Sequence, residues 1–304
     1  MSKNAEPFIS LNQGDLKTLA RAITIVENEL DGCREILFSL TGNKHVPVIG
    51  FTGLPGAGKS TLINAMIRQL SGSGKKIAVL AVDPTSPFNY GSLLGDRIRM
   101  SEHFNDPNIF IRSVATRGSL GGLSEKTIEI VDVLKAAWFD LVVIETVGVG
   151  QSEVEIAGLA DTTVVVFVPE AGDEIQLMKS GIVEIADIFV VNKSDREGAD
   201  LFVNNLKKSA HTMQGTNRIP IVLKTSATSG DGIEMLIQEI EKHGQTEEAL
   251  RKKIFLLTEK SYRLIQKKRM KDIDKFKLQE AVEKAFLVPQ FNLYKFADSY
   301  SPVP

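Results

Sequence analysis

Short runs of apolar, mostly β-branched residues recur between about residues 46 and 225 of the chain. They predict β-strands at 46–52, 76–83, 109–114, 140–145, 163–168, 187–192 and 221–225. Most of these runs are apolar throughout and do not alternate with polar residues, which is typical of strands buried on both faces of a sheet. The pattern therefore predicts a sheet in the interior of the molecule.

Stretches with helical spacing lie between the predicted strands, for example at 60–70 and 125–137. A strand that is followed by a helix normally returns through a right-handed crossover to a parallel neighbour. We therefore expect an α/β fold with a mainly parallel central sheet and flanking helices on both of its faces.

Both ends of the chain show helical spacing without strands. Residues 15–40 predict one amphipathic helix that Asp15 caps, with apolar positions at Leu16, Leu19, Ile23, Val26 and Leu30. Residues 247–286 predict helices whose apolar faces include Ile254, Leu257, Leu264, Leu278, Val282 and Phe286. We expect an N-terminal helical extension (1–44), an α/β domain (45–245) and a C-terminal helical arm (246–304).

Composition restricts the class of protein. The chain has 304 residues, of which 43% are hydrophobic and 24% charged, as in ordinary globular proteins. No run approaches the roughly 20 apolar residues of a membrane span, and the N-terminal segment lacks a signal-peptide pattern. We expect a cytoplasmic protein without a membrane partner, and we expect the single cysteine, Cys33, to be a packing residue.

Charge is nearly balanced over the chain but not along it. The formal net charge of -2 gives no overall attraction to nucleic acid. The C-terminal arm is locally basic at Arg251, Lys252, Lys253, Arg263, Lys267, Lys268, Arg269 and Lys271. A solvated helix face is the simplest interpretation, and a partner-binding or dimerising arm is the alternative. Aromatic residues are not interleaved as stacking platforms, so we expect no nucleic-acid partner.

The segment GLPGAGKS, from Gly53 to Ser60, has Walker A spacing and lies between an apolar strand and a helix. A phosphate-binding loop requires this context. Its glycines allow backbone N–H groups to face a polyphosphate, the helix adds its positive end, and Lys59 supplies a charge for the terminal phosphates. The predicted nucleotide-binding residues here are Gly53, Leu54, Pro55, Gly56, Ala57, Gly58, Lys59, Ser60 and Thr61.

Magnesium needs oxygen ligands beside the Ser60 hydroxyl, and carboxylates at the carboxyl ends of neighbouring strands are the natural source. Asp83 and Glu145 each end a predicted strand, and Asp96 lies in the loop after Asp83. An acidic residue at a strand end can also cap the next turn. We predict Ser60, Asp83 and Glu145 as magnesium ligands, with Asp96 as a third candidate carboxylate, and Lys59, Asp83 and Glu145 as catalytic residues.

The sequence NKSD, from Asn192 to Asp195, follows an apolar run and matches the guanine-recognition pattern. The Asp195 carboxylate can accept hydrogen bonds from the imino and amino groups of guanine, whereas adenine offers no such pair of donors. Two charged hydrogen bonds of about 1.5–3 kcal/mol each would discriminate the bases by roughly 10² to 10⁴. The predicted base-binding residues are Asn192, Lys193, Asp195, Ser226, Ala227 and Thr228.

Together these motifs resemble those of the MeaB/ArgK family of GTPases. The resemblance implies a chaperone of adenosylcobalamin-dependent methylmalonyl-CoA mutase, and it implies all four magnesium ligands, Ser60, Asp83, Asp96 and Glu145. The resemblance covers about residues 15–245. It rests on RAIT at 21–24, GLPGAGKST at 53–61, VDPTS at 82–86, GDRIRM at 95–100, ETVGVGQSE at 145–153, AGDEIQ at 171–176 and NKSD at 192–195. ETVGVGQSE and AGDEIQ are the distinctive members of this set.

The resemblance implies a P-loop fold, GTP or GDP and Mg²⁺ as ligands, and an adenosylcobalamin-dependent acyl-CoA mutase as partner. It also implies homodimerisation through the C-terminal helices and a mobile switch that carries Asp173, Gln176 and the catalytic Lys179. Gly148 stands where many nucleotide switches use a glycine N–H to sense the terminal phosphate. The water-positioning residue stays open, because Gln151 lies too far from Gly148 to be assigned.

The predicted reaction is in-line attack of water on the terminal phosphoryl group of GTP. No internal arginine is convincingly placed to assist, so we expect slow turnover alone and acceleration by a partner. Arg97 and Arg117, which lie in predicted loops, are the residues that would contradict this expectation.

Two other functions are compatible with a P-loop. A metal-insertion GTPase of hydrogenase or urease maturation would be expected to need clustered Cys and His ligands. The chain has one cysteine and four dispersed histidines, His45, His103, His211 and His243. An ATP-dependent kinase or transport ATPase is the second alternative, and Asp195 argues against it through base choice.

Overall fold

The computed structural model describes residues 14–40, 46–83, 100–103, 105–115, 125–146, 155–169, 182–213, 221–288 and 291–300. The strands in this part of the chain are β1 (Val48–Gly53), β2 (Ile77–Asp83), β3 (Ile109–Ala115), β4 (Leu141–Thr146), β5 (Thr162–Phe167), β6 (Ile188–Val191) and β7 (Ile221–Lys224). They form one parallel sheet in the order β3-β2-β4-β1-β5-β6-β7. Each predicted strand is present, with bounds that differ by at most two residues.

The described helices follow the strands in alternation and continue after the last one. They are α1 (Leu16–Glu27), α2 (Cys33–Ser39), α3 (Lys59–Gly72), α4 (Glu125–Ala136), α5 (Ile182–Ile185), α6 (Ala199–Met213), α7 (Ile233–Gly244), α8 (Glu247–Arg269), α9 (Lys275–Phe286) and α10 (Leu293–Ser299). Every residue of β1, β4, β5 and β6 is buried, as continuous apolar runs predict. The α/β class is confirmed.

Helices cover both faces of the sheet. One hydrophobic cluster joins α3 and α7 to residues such as Phe51 and Val143. A second cluster packs α1, α2 and α4 on alternate strand residues, which face the other side because successive side chains of a strand point in opposite directions. Phe189 and Phe202 belong to a third cluster that covers β5 and β6 with α5 and α6. Cys33 packs beside the second cluster, as predicted.

The predicted continuous helix over residues 15–40 is wrong in its middle. Asp15 caps α1 by accepting the Lys17 N–H at 2.9 Å, but the helix ends at Glu27 and a new one starts at Cys33. Glu29 and Gly32 take positive φ values of 51° and 92°, which reverse the chain direction. Leu30, predicted to be part of the apolar stripe, lies in this turn and is 50% exposed.

The chain divides into two compact units, Met1–Leu250 and Arg251–Pro304. The second unit contains most of α8 with α9 and α10, and α10 was not predicted. Its aromatic residues Phe286, Phe291, Phe296 and Tyr300 contact one another in succession, with ring centroids 5.7–5.9 Å apart. Several large apolar residues on its helices are nevertheless exposed: Ile254, Phe255, Leu257, Leu264, Ile265, Phe276 and Phe286.

Candidate nucleotide-binding site

The phosphate loop connects β1 to α3 at the carboxyl edge of the sheet. Gly53, the last residue of β1, has φ of 132°, and a Cβ there would lie 2.2 Å from the Val166 carbonyl oxygen. Gly58 precedes α3 with φ of 85°, and its Cβ would lie 2.4 Å from Asn192 Nδ2. At Gly53 the obstacle is backbone, so the loop leaves no room for a side chain, whereas a side chain at Gly58 would require Asn192 to move.

Lys59 is the first residue of α3, and its ammonium folds back over the loop. The Nζ atom donates to the Gly53 carbonyl at 2.8 Å and to the Leu54 carbonyl at 3.0 Å. The side chain is buried, with 5% exposure. A cation is thus fixed beside a glycine-rich loop at a helix N-terminus, an arrangement that attracts phosphate.

Ser60 and Glu145 meet beneath the loop. The Ser60 hydroxyl donates to Glu145 Oε1 at 2.6 Å, and both residues are buried. In the register of the sheet Glu145 pairs with Ala81, so Asp83 ends the adjacent strand two residues further along. The structure describes only the backbone of Asp83.

These groups suit a small divalent cation. Mg²⁺ prefers oxygen ligands and is commonly held by one or two carboxylates together with a hydroxyl and substrate phosphates. The buried pair of Ser60 and Glu145 supplies both protein ligand types within hydrogen-bonding distance. The position of Asp83 at the end of β2 is consistent with a further carboxylate at this edge.

Asn192 connects the phosphate loop to the predicted base site. Its Nδ2 donates to the Ala57 carbonyl at 2.9 Å. Its Oδ1 accepts from Thr225 Oγ1 and from the Ala227 N–H, each at 3.2 Å. The side chain is 1% exposed, so three separate segments are joined through one buried amide.

Lys193 also reaches the phosphate loop. It has a positive φ of 55°, uncommon for a residue with a side chain, and its Nζ donates to the Gly56 carbonyl at 3.0 Å. The aliphatic stem of Lys193 therefore extends from the NKSD segment toward the loop. This direction is compatible with a contact between that stem and a purine face.

Asp195 is exposed, and the segment around it is positioned by the backbone. The Ser194 N–H donates to the Thr225 carbonyl at 3.0 Å, which places NKSD beside the segment that contains Ser226 and Ala227. Gly232 supports that segment, because a Cβ there would lie 2.2 Å from the Lys224 carbonyl oxygen.

The Ala227 N–H, a backbone donor of the predicted base-binding residues 226–228, already donates to the Asn192 amide oxygen. A guanine carbonyl would therefore compete with the Asn192 amide oxygen for this donor. Ser226 forms a bridge with Asp231 through its own N–H at 3.0 Å, and Thr228 is exposed beside it.

Among the described residues, the structure thus brings together the phosphate loop, the Ser60–Glu145 pair and the two predicted base-binding segments, 192–195 and 225–228. The predicted site residues Asp96, Gly148 and Lys179 lie outside the described residues, as do Asp173 and Gln176 of the expected switch. The same holds for the loop residues Arg97, Arg117 and Gln151.

Two functional contributors were not predicted. The Thr146 hydroxyl donates to Thr52 Oγ1 at 3.1 Å and joins the buried ends of β1 and β4, next to Gly53 and Glu145. Thr225 holds Asn192 through its hydroxyl. Threonine at the end of an apolar strand is the only sequence signal for these roles, and it does not identify the partner.

Burial lowers the pKa of His103, which lies in a short 3-10 turn beside Glu102. No helix within the described residues is both long enough and apolar enough to span a bilayer. The cytoplasmic location stays a prediction.

Comparison with known proteins agrees with this geometry. The family model described as methylmalonyl-CoA mutase-associated GTPase MeaB matches residues 19–281. A Pyrococcus horikoshii protein whose name describes a GTPase is 48% identical over 242 residues, which are 77% of this chain and 75% of that protein. The mouse protein named methylmalonic aciduria type A homolog, mitochondrial, is 38% identical over 249 residues, 74% of this chain and 59% of that protein.

A solved structure agrees over nearly the whole chain. The crystal structure of a LAO/AO transport system kinase has a TM-score of 0.66 and 27% identity, and the match covers 98% of each chain. A phosphate loop with an anchored lysine, a buried serine–carboxylate pair and a guanine-type base segment occur here on that fold. The chain belongs to the MeaB family of P-loop GTPases and is a GTP hydrolase.

Proposed function

We propose that this GTPase is a chaperone of an adenosylcobalamin-dependent acyl-CoA mutase, most directly methylmalonyl-CoA mutase, and that GTP gates cofactor loading or protects the mutase. The description of the matching family and the name of the mouse relative support this partner. The observation that carries the proposal is the match of residues 19–281 to the family of mutase-associated GTPases. The Asn192 connection supports the nucleotide-dependent part of the proposal, because it joins NKSD and residue 227 to the phosphate loop.

In the proposed mechanism the residues of the chain position the nucleotide and neutralise its charge. Lys59 neutralises negative charge on the terminal phosphates, and the loop N–H groups orient the triphosphate for attack by water. Mg²⁺, held by Ser60, Asp83, Asp96 and Glu145, would neutralise phosphate charge when bound. Gly148 and Lys179 complete the predicted catalytic set.

We propose that a protein partner controls the rate of GTP hydrolysis. A positioned arginine supplied from outside can accelerate GTP hydrolysis by about 10³ or more. We propose that the mutase supplies or orders such an arginine, so that turnover is slow without the mutase.

We also propose that the unit Arg251–Pro304 mediates homodimerisation. Its exposed apolar residues include Ile254 at 57%, Leu257 at 51% and Phe276 at 81%. Clusters of exposed large apolar side chains mark interaction surfaces in folded proteins. Basic residues on α8 would remain at the solvated edge of such an interface.

The test measures GTP turnover by the purified chain with and without the mutase from the same cell. We expect about 10³-fold acceleration and a stable complex. ATP in place of GTP is the matched control and should show no response to the mutase. Unchanged GTP turnover together with no complex would contradict the chaperone role, while the GTPase assignment would stand.

The solved relative suggests a second function, transfer of phosphate in transport. The two functions differ in where the terminal phosphate goes. A hydrolase releases all of it as inorganic phosphate, whereas a kinase leaves label from γ-labelled nucleotide on a protein. Exposed Asp195 at the base site favours GTP over ATP as that nucleotide.

A further inference from the structure

A cavity of about 420 Å³ opens at the amino edge of the sheet, within the unit Met1–Leu250. It lies between α3 and α7, over the first residues of β1, β4 and β5. We call it the amino-edge cavity, and the residues of its wall that matter most for the argument are Ile49, Met66, Leu141, Asp161, Thr162 and Ile237. Its size is within the range of about 300–1,000 Å³ typical of small-molecule sites.

The cavity is separate from the nucleotide site. Both border α3, but Lys59 is its first residue and Leu70 lies near its last turn. Eleven residues of helix at about 1.5 Å each place these ends roughly 16 Å apart. The strands also point their carboxyl ends toward the phosphate loop and their amino ends toward the cavity.

The floor of the cavity is apolar, and its wall carries more carboxylates than ammonium groups. Ile49, Met66 and Leu141 are buried members of the core cluster beneath it. Lys75 Nζ pairs with Glu241 Oε1 at 3.0 Å, so the single ammonium of the wall is matched by one carboxylate. The other two charged groups, Asp140 and Asp161, are both carboxylates.

Asp161 is the buried carboxylate of the wall. It is 8% exposed, and its Oδ2 accepts the Val48 N–H at 2.9 Å. A backbone hydrogen bond fixes the side chain without neutralising its charge. A buried carboxylate that borders an apolar cavity favours a ligand with a positive group, because charge is costly to bury without a partner.

Thr162 adds an acceptor in the same place. Its hydroxyl lies 2.8 Å from Nδ1 of the buried His243, and His243 Nε2 lies 3.4 Å from Asp187 Oδ1. A hydroxyl has one proton and two lone pairs, so Thr162 keeps at least one lone pair for a ligand whether it donates to Nδ1 or accepts from it.

We propose that the amino-edge cavity is a binding site for a compact organic cation, an ammonium or amidinium group on an apolar body. The apolar body occupies the floor between α3 and α7. The cationic head donates to Asp161 and to the Thr162 hydroxyl. The site is independent of the nucleotide and is not occupied by GTP or GDP.

The test uses the full chain saturated with GDP and Mg²⁺ and three probes with similar apolar bodies. These probes are 2-phenylethylamine, 2-phenylethanol and 3-phenylpropanoate, titrated by ligand-observed NMR. The amine should bind at least about tenfold more tightly than the alcohol, as one charge-assisted hydrogen bond implies. The carboxylate should bind most weakly.

Two variants locate the binding. Asp161→Asn keeps an acceptor for the Val48 N–H but removes the charge, so the amine should weaken about tenfold while the alcohol is unchanged. Glu239→Gln is the matched control, because it removes a charge from α7 away from the cavity wall and should change nothing. Ile237→Trp, which fills the cavity, should abolish binding of both probes.

Several results would overturn the proposal. They are equal affinity of the amine and the alcohol, equal effects of Asp161→Asn and Glu239→Gln, and no probe binding to the GDP-saturated chain. Retention of amine binding by a folded Ile237→Trp variant would also exclude this cavity as the site.

Discussion

The two ends of the nucleotide site are constructed differently. At the phosphate end Lys59, Ser60 and Glu145 are each no more than 6% exposed and are hydrogen-bonded within the protein. At the base end Asp195, the residue that we propose selects guanine, is exposed. Buried Asn192 connects the ends. The position of the site thus depends on buried residues shared with the fold, whereas the proposed base choice depends on a surface carboxylate.

The largest expected effect is a change of base preference without loss of stability. Asp195→Asn exchanges an acceptor for a mixed donor and acceptor, so preference should move from guanine toward xanthine nucleotides by about 10² to 10⁴. Competition between GDP and XDP measures this ratio. Glu197→Gln, an equally exposed neighbour, is the control and should leave the preference unchanged. An unaltered ratio in Asp195→Asn would remove the base assignment.

At the phosphate end the effect should fall on turnover. Lys59→Ala removes the cation held beside the loop and should lower the GTP turnover rate by about 10² to 10³, as for loss of one preorganised charge-stabilising group. Single-turnover hydrolysis at saturating GTP measures this rate. Lys242→Ala, on the exposed surface of α7, should retain the rate of the parent chain. Equal rates for the two variants would refute the assigned role.

The contact between Gly58 and Asn192 lies at the junction of the two ends. It predicts that Gly58→Ala destabilises the protein more than Gly74→Ala. Gly58 and Gly74 have similar φ values, 85° and 80°, but only at Gly58 does a Cβ meet Asn192, at 2.4 Å. Both Ala substitutions carry the cost of positive φ, about 1–2 kcal/mol. Gly58→Ala should cost about 1–3 kcal/mol more, because Asn192 has to move. Urea unfolding of both variants checks this, and equal midpoints with equal slopes would show that Asn192 yields freely.

The smallest expected effect tests Asn192 directly. Asn192→Ala removes the side chain that hydrogen-bonds to the Ala57 carbonyl and the Ala227 N–H, so the free energy of unfolding should fall by about 1–3 kcal/mol. Asn204→Ala, at an exposed position of α6, should change it by less than about 0.5 kcal/mol. Nucleotide affinity should fall with Asn192→Ala for both guanine and xanthine nucleotides. A selective loss of one would place Asn192 on the base and not at the junction.

Local patterns predicted the elements and the motifs of this site. Apolar runs located the strands, and the glycine spacing located the phosphate loop, because both signals lie within a few consecutive residues. The turn at Glu29–Gly32 was missed, since helical spacing continues through Leu30 while the glycine that reverses the chain is the only contrary signal.

Tertiary contacts could not be predicted in the same way. The hydrogen bond from the Ala227 N–H to Asn192 joins residues 35 positions apart, and the Ser60–Glu145 hydrogen bond joins residues 85 positions apart. The amino-edge cavity depends on side chains from segments between Pro47 and Gln245. No single stretch of sequence carries the signal for such a contact, because it exists only after the sheet order is set.

We propose that one pocket holds a phosphate chain in a glycine loop and selects guanine through Asp195. Calorimetric titration of the purified chain with GDP and with ADP, each with Mg²⁺, tests this proposal. The affinity for ADP should be at least about 10²-fold below that for GDP. Equal affinities for the two nucleotides, or no binding of either, would contradict it.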